Sequence, residues 1–306
     1  AQAEFDRAWL NHQAGNPARA FQLFTNYVVR FPTNQLAPVA QKWIADHQFQ
    51  SGKFIEAEQG YRRLFENTNL LANAPDMQWE ARLSAGRSAF FRQEHAAAEL
   101  LLASVVNDTN APIAELARAE FYLGDVAADQ TGRTPTNLLD ALPHYQRVAN
   151  EMPNSPLNPS AWGRMGDCHL QLGNLDSAAE AYRTVTELPS ADVTTRSQAG
   201  LGMAHVLDKL AEAAGETEER EKLRKRSLEQ CMEIVFGGNL RSANEKLDPF
   251  WVKEAGLMAG RLAGRLGRAE QERKVYSRLA KELPGMPLWQ AKLDALRVNQ
   301  ETPKKP

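Results

Sequence analysis

Three hundred and six residues carry 36 Lys+Arg against 38 Asp+Glu, a net charge of −2, with 43% hydrophobic and 24% charged residues. That balance excludes the basic excess of a nucleic-acid binder and the polybasic patch of a membrane-surface protein, and it belongs to a folded chain. Two cysteines, Cys168 and Cys231, make neither a disulfide framework nor a thiolate zinc site, and no apolar run nears the ~20 residues that span a bilayer.

Along the chain one pattern recurs: a small residue, a turn residue seven on, Ala five further, and an apolar or aromatic residue four after that. The first copy is Ala8, Gly15, Ala20, Phe24, closed by Pro32. The second is Ala45, Gly52, Ala57, Tyr61, and the third is Gly86, Gln93, Ala98, Leu102, with Gln93 in the turn position. A fourth begins at Leu123-Gly124 and resumes at Ala141, Tyr145 and Pro153 after an insertion near 131–137. The fifth is Met165-Gly166, Gly173, Ala178, Tyr182, Pro189. A degenerate sixth runs from Leu201-Gly202 to Ser227 and Cys231 across an insertion near 208–226, and the seventh is Gly260, Gly267, Glu272, Tyr276, Pro284. The small residues lie 37, 41, 38, 42, 36 and 58 apart, so insertions account for much of the drift.

Seven residues are about two turns of helix. The small residue lets its helix approach a partner closely, and the turn glycine suits a left-handed C-cap. The Ala and the aromatic share one face of a second helix, and the proline stops it. Each unit is therefore a helical hairpin that buries its apolar face only by stacking on its neighbours. Near Pro143 the helix is expected to start at Asp140 as N-cap, which puts the proline in the first turn.

These residues resemble the tetratricopeptide repeat family across roughly residues 3–286. The resemblance implies an all-α, right-handed α-solenoid of about seven hairpins. Leu288–Asn299, with Trp289, Leu293 and Leu296 at helical spacing, reads as a C-terminal capping helix. The expected organisation is a single solenoid over residues 1–299 with a disordered tail at 300–306, in place of the two domains that length alone suggests.

Chemistry-bearing motifs are scarce. There is no phosphate-cradling loop, dinucleotide fingerprint or serine elbow, and no two histidines stand four apart. The triplet Asp167-Cys168-His169 cannot converge on one ion, because neighbouring helical residues point about 100° apart. Gly256, Gly260 and Gly264 read as close helix packing rather than a membrane dimer, since Arg261 and Arg265 interrupt them. Glu216–Arg226 mixes both charge signs and reads as a solvated helical extension, with a docking arm as the sharper alternative. No catalytic residue, cofactor or metal is expected.

The asset of such a solenoid is its concave face, lined by the first helices. Counting the small residue as zero, positions −3, +1, +4 and +5 point there. The expected groove is Phe5, Trp9 and His12; Lys42, Asp46 and Phe49; Arg87, Phe90 and Phe91; Phe121 and Asp125; and Arg261 and Arg265. Under the same count, repeat six offers Ala199, Met203, Val206 and Leu207. Aromatic anchors with a few charged guides suit a protein or peptide partner. Family members that grip a chaperone's terminal carboxylates carry Lys and, four later, Asn; Phe5 and Trp9, then Lys42 and Asp46, stand there instead. The stretch from Phe31-Pro-Thr-Asn-Gln-Leu-Ala-Pro to Phe49–Glu58 is similar to bacterial cell-envelope members of the family, periplasmic Tol–Pal-associated and outer-membrane assembly proteins among them. That likeness implies export to the envelope. The expected function is a non-catalytic binding scaffold. A structural subunit using its convex face, or a substrate-recruiting accessory to a separate enzyme, stands beside it.

Overall fold

The computed structural model describes residues 1–129 and 135–301, with side chains through Arg297. Part of the expected 131–137 insertion and nearly all of the expected 300–306 tail lie outside the described residues. The described residues are helical and contain no strand. They cluster into two compact units, Ala1–Leu157 and Asn158–Pro306.

Unit one holds four hairpins: α1 (Gln2–Gln13) with α2 (Pro17–Arg30), α3 (Ala37–Gln50) with α4 (Phe54–Glu66), α6 (Met77–Phe91) with α7 (His95–Val106), and α8 (Ile113–Asp129) with α9 (Pro135–Gln146). A short helix, α5 (Thr68–Asn73), lies between α4 and α6. It was not expected, and it exists because the Asn67 side chain caps it, accepting from the Asn69 and Leu70 N–H groups while Leu70 is buried. Unit two holds α10 (Asn158–Leu172) with α11 (Leu175–Glu187), α12 (Val193–Ala213) with α13 (Thr217–Phe236), and α14 (Pro249–Arg265) with α15 (Ala269–Glu282). There α16 (Pro287–Glu301) closes the stack as the expected cap: Trp289 is 1% exposed and packs with Leu293 and Leu296 on the last hairpin's core.

Within each unit the second helix of one hairpin packs on the first helix of the next. The repeat positions form the core: Ala8, Ala45, Phe24, Tyr61, Leu102, Tyr145, Tyr182, Cys231 and Tyr276 are all buried. Interlock requires the small residues. Tyr182 lies between Gly166 and Gly202, and a methyl group on either would fall within 3 Å of its ring. The turn position is left-handed as expected, with φ of +74° at Gly15 and +80° at Gly173, and Gln93 adopts +64° despite its side chain.

Two expectations are corrected. Pro143 is interior, because α9 begins at Pro135 rather than at Asp140. The proline cannot donate to the Leu139 carbonyl, Leu139 is exposed, and past the proline the helix runs on as a π turn over Arg147–Glu151. The second correction concerns repeat six. In repeat three, Ser84 stands two before the small Gly86 and is the residue that meets Tyr61 of the preceding hairpin. In repeat six Gly202 meets the preceding Tyr182, which makes Ala204 the small residue. Two contacts agree. Ser227 Oγ donates to the Ala204 carbonyl at 2.7 Å, and Gly200 faces Ile234 as Gly256 faces Leu279. The register is therefore two residues later than Leu201-Gly202 suggested. That is why Ala199, Val206 and Leu207 are buried.

The insertion in repeat six lengthens α12 and α13 to 21 and 20 residues, with Leu207, Ala211 and Leu223 as its own small core. The following connection is tied down by two arginines. Arg196, 4% exposed, donates to the carbonyls of Ala191 and Asn239 and to Glu245 Oε2 at 2.6 Å. Arg241 donates to the Thr186 and Leu188 carbonyls at the end of α11, a cation where the helix dipole favours one.

Candidate functional site

On unit one the expected residues fall into three groups. At the amino-terminal hairpin Phe5 is buried, while Trp9 is 39% exposed and stacks on it at 6.2 Å. His12 meets the Trp9 ring edge-on at 5.5 Å and the Trp43 ring at 5.3 Å. Trp43, which the counting rule passed over, lies 4.7 Å from Phe24 and stacks on His47 at 5.3 Å, with planes only 5° apart. Trp43 stands two before Ala45, as Ser84 and Gly202 stand two before their small residues. That position faces the ring of the preceding hairpin, and a bulky residue there marks a filled seam.

The second group is polar. Lys42 Nζ lies 2.9 Å from Asp46 Oδ2 and 3.3 Å from Glu80 Oε1. Burial pulls the ammonium down, but Asp46 and Glu80 more than offset it, so its pKa sits above the ordinary lysine value. Asp46 Oδ1 also accepts the Tyr61 hydroxyl at 2.7 Å. The arrangement repeats: Tyr145 donates to Asp125 at 2.8 Å, and in unit two Tyr182 donates to Asp167 at 2.7 Å. Burial first, and the facing carboxylate second, hold Tyr61 above the ordinary phenol range. Position +1, read as a peptide guide, is in these three repeats an anchor between the two helices of one hairpin.

The third group spans α3, α6 and α8. Arg87 carries its guanidinium 5.1 Å from the Phe49 ring and 5.0 Å from the Tyr122 ring. It has no carboxylate partner among the described residues. Phe49, Phe54 and Phe91 form a ring triad at 5.1–5.4 Å, and Phe91 is 50% exposed. Phe90 is half-buried against His95, and Phe121 is buried between Tyr122 and Tyr145. The structure thus brings Arg87, Phe49 and Phe91 together, with Tyr122 beside Arg87, and places Phe5 and Phe121 in the core.

Arg261 and Arg265 lie on unit two. Arg265 Nη1 is 3.6 Å from Asp208 Oδ2 and 3.7 Å from Glu212 Oε1, while Arg261 is exposed. With Ala204 as reference, positions −3, +1, +4 and +5 of α12 are Leu201, His205, Asp208 and Lys209; Leu201 and Asp208 are buried, His205 is half-buried and Lys209 is exposed. The contact of Gly202 with Tyr182, between residues on different hairpins, fixes this register.

The reactive-looking triplet does not converge. Asp167 accepts from Tyr182 and Gln198, Cys168 is buried, and burial lowers the pKa of His169. Burial pushes the Cys231 thiol up to about 12. Among the described residues no three metal-ligating side chains gather, and no helix is long and apolar enough to cross a membrane.

Against known proteins, residues 136–192 match the family model described as tetratricopeptide repeat. That match spans 57 of the 306 residues. No curated protein matches it. Among solved structures, a tetratricopeptide repeat protein from Parabacteroides merdae superposes with a TM-score of 0.57 at 11% identity, covering 97% of this chain and 98% of that one. The C-terminal part of a TPR repeat-containing protein from Cytophaga hutchinsonii gives 0.59 at 10% identity, covering 94% and 99%. PilF of Pseudomonas aeruginosa gives 0.51 at 14% identity, covering 86% and 97%. At such identities the likeness establishes the fold, a solenoid of stacked helical hairpins.

Proposed function

We propose that the chain is a non-catalytic scaffold that binds a segment of another protein along the first helices of unit one, α1, α3, α6 and α8. The observation that carries this reading is Arg87. A guanidinium set against two rings from neighbouring helices, without a carboxylate partner among the described residues, keeps donors that the fold does not consume. Exposed rings at Trp9 and Phe91 flank it along the same helices and supply apolar anchors. Lys42, Asp46 and Asp125 act within the fold and orient the surface rather than the ligand. A cell-envelope setting is part of the proposal and is supported by the Phe31–Pro38 linker resemblance.

The test is an affinity pull-down from the source organism's lysate and envelope fractions, read by mass spectrometry. Wild type is compared with a Trp9→Ala, Arg87→Ala, Phe91→Ala variant whose fold is checked by circular dichroism. A partner taken from the envelope fraction by wild type and lost by the folded variant is expected. Equal capture by both proteins refutes the assignment to this surface.

A further inference from the structure

The face of α12 and α14 in unit two carries charge that the fold leaves unbalanced. In the corrected register Asp208 and Lys209 project from α12 toward the side where Arg261 and Arg265 stand on α14. Asp208, 8% exposed, is shared: Arg265 Nη1 lies 3.6 Å from it and Arg224 Nε 3.8 Å. Neither distance is a hydrogen bond, and Asp208 Oδ1 and Arg224 Nε both lack a hydrogen-bond partner. Glu212 reaches only Arg265, at 3.7 Å. Lys209 and Arg261 are exposed, and no carboxylate pairs with either among the described residues. Four strong bases, Arg224, Arg261, Arg265 and Lys209, therefore stand against three carboxylates, Asp208, Glu212 and Glu272, on a chain whose net charge is −2. At Gly264, between the two arginines on α14, an added carbon would stand 3.4 Å from Glu272 Oε2, so a carboxylate from α15 lies against the helix there.

We propose that this face is a second docking site, which takes an acidic segment of a partner protein, with its side-chain carboxylates seated on Arg261 and Lys209. Charge complementarity selects the occupant: a planar guanidinium receives a carboxylate through two parallel N–H bonds, and the loosely held Arg265 can turn to a second. Asp208 keeps Arg265 and Arg224 near the site without neutralising them. A basic or neutral segment gains nothing there. The site is separate from the Arg87 surface and depends on different side chains.

The experiment is fluorescence anisotropy on the full chain with a labelled peptide of alternating Glu and Ala, beside the same peptide with Gln for Glu. The Glu peptide is expected to bind more tightly, with affinity that falls as salt rises. Arg261→Glu with Lys209→Glu should weaken it about tenfold or more. Lys281→Glu with Lys246→Glu makes the same charge change at exposed sites on α15 and in the connection before α14 and should leave affinity within about twofold. The Trp9, Arg87, Phe91 triple variant should bind the Glu peptide as wild type does, so failure of that surface and failure of this one are read separately. Equal binding of the Gln peptide, equal loss in the Lys281/Lys246 control, or no binding of the Glu peptide at low salt overturns the proposal.

Discussion

Gly202→Ala should destabilise the protein, whereas Gly163→Ala and Gly200→Ala should not, although all three glycines are buried within first helices of unit two. Replacing a mid-helix glycine by alanine gains about 0.5–1 kcal/mol from backbone entropy when the methyl group meets nothing. At Gly163 no atom lies within 4 Å of the new carbon, and at Gly200 it meets the flexible Ile234 Cδ1 at 3.4 Å. At Gly202 it would stand 2.6 and 2.7 Å from two ring carbons of Tyr182 and closer still to the third. That ring cannot yield: it is fully buried, Gly166 backs its other side, and its hydroxyl is held by Asp167. Overpacking a fixed ring costs about 1–3 kcal/mol, which exceeds the entropy gain. Gly202→Ala should therefore lie below Gly163→Ala by at least about 1 kcal/mol in urea unfolding. Amide exchange in α10–α13 should localise the loss to unit two. If Gly202→Ala matches Gly163→Ala, then Tyr182 does not face Gly202, and the register that puts Asp208 and Lys209 beside Arg261 and Arg265 fails with it.

Gln93→Gly should stabilise by about 0.5–1 kcal/mol, because a left-handed L-residue costs about 1–2 kcal/mol while glycine gives back part of that in unfolded-chain entropy. A lower melting temperature for Gln93→Gly would show that the Gln93 side chain contributes more than its backbone costs. Asp167→Asn should change how stability depends on pH. Burial raises the folded Asp167 carboxyl above its ordinary 3.8, although Tyr182, Arg164 and Gln198 pull the other way. A raised folded pKa means that its contribution is fully present below 3.8 and is lost as pH rises through the folded value. Wild type should thus lose ground to Asp167→Asn over that window, read as urea midpoints at stepped pH, and a difference independent of pH would contradict the burial of this carboxyl.

Much of the architecture is written locally. A helix carries its own 3.6-residue period, a left-handed turn wants glycine, and a ring four residues after an alanine lands on the same face. These rules need no distant contact, so the hairpins around Gly15, Gly52 and Gly173, the cap built on Trp289, and the seven-fold repetition could all be read along the chain. They also mark which residues of a first helix leave the hairpin, which is how Trp9, Arg87, Arg261 and Arg265 were found.

What the chain alone did not decide is which partner each outward residue meets. Asp46 and Asp125 look like free guides until the structure brings Tyr61 and Tyr145 to them from 15 and 20 residues away. Arg87 gains its meaning only when Phe49 and Tyr122 arrive from two other helices. In repeat six, Gly202 and Ala204 are both small, and helical periodicity does not choose between them. The choice is made by Tyr182, which accepts a bare backbone beside its ring and rejects a methyl. Secondary structure follows from neighbours in sequence, whereas the surface that remains for a partner is what is left after packing between hairpins has claimed its share.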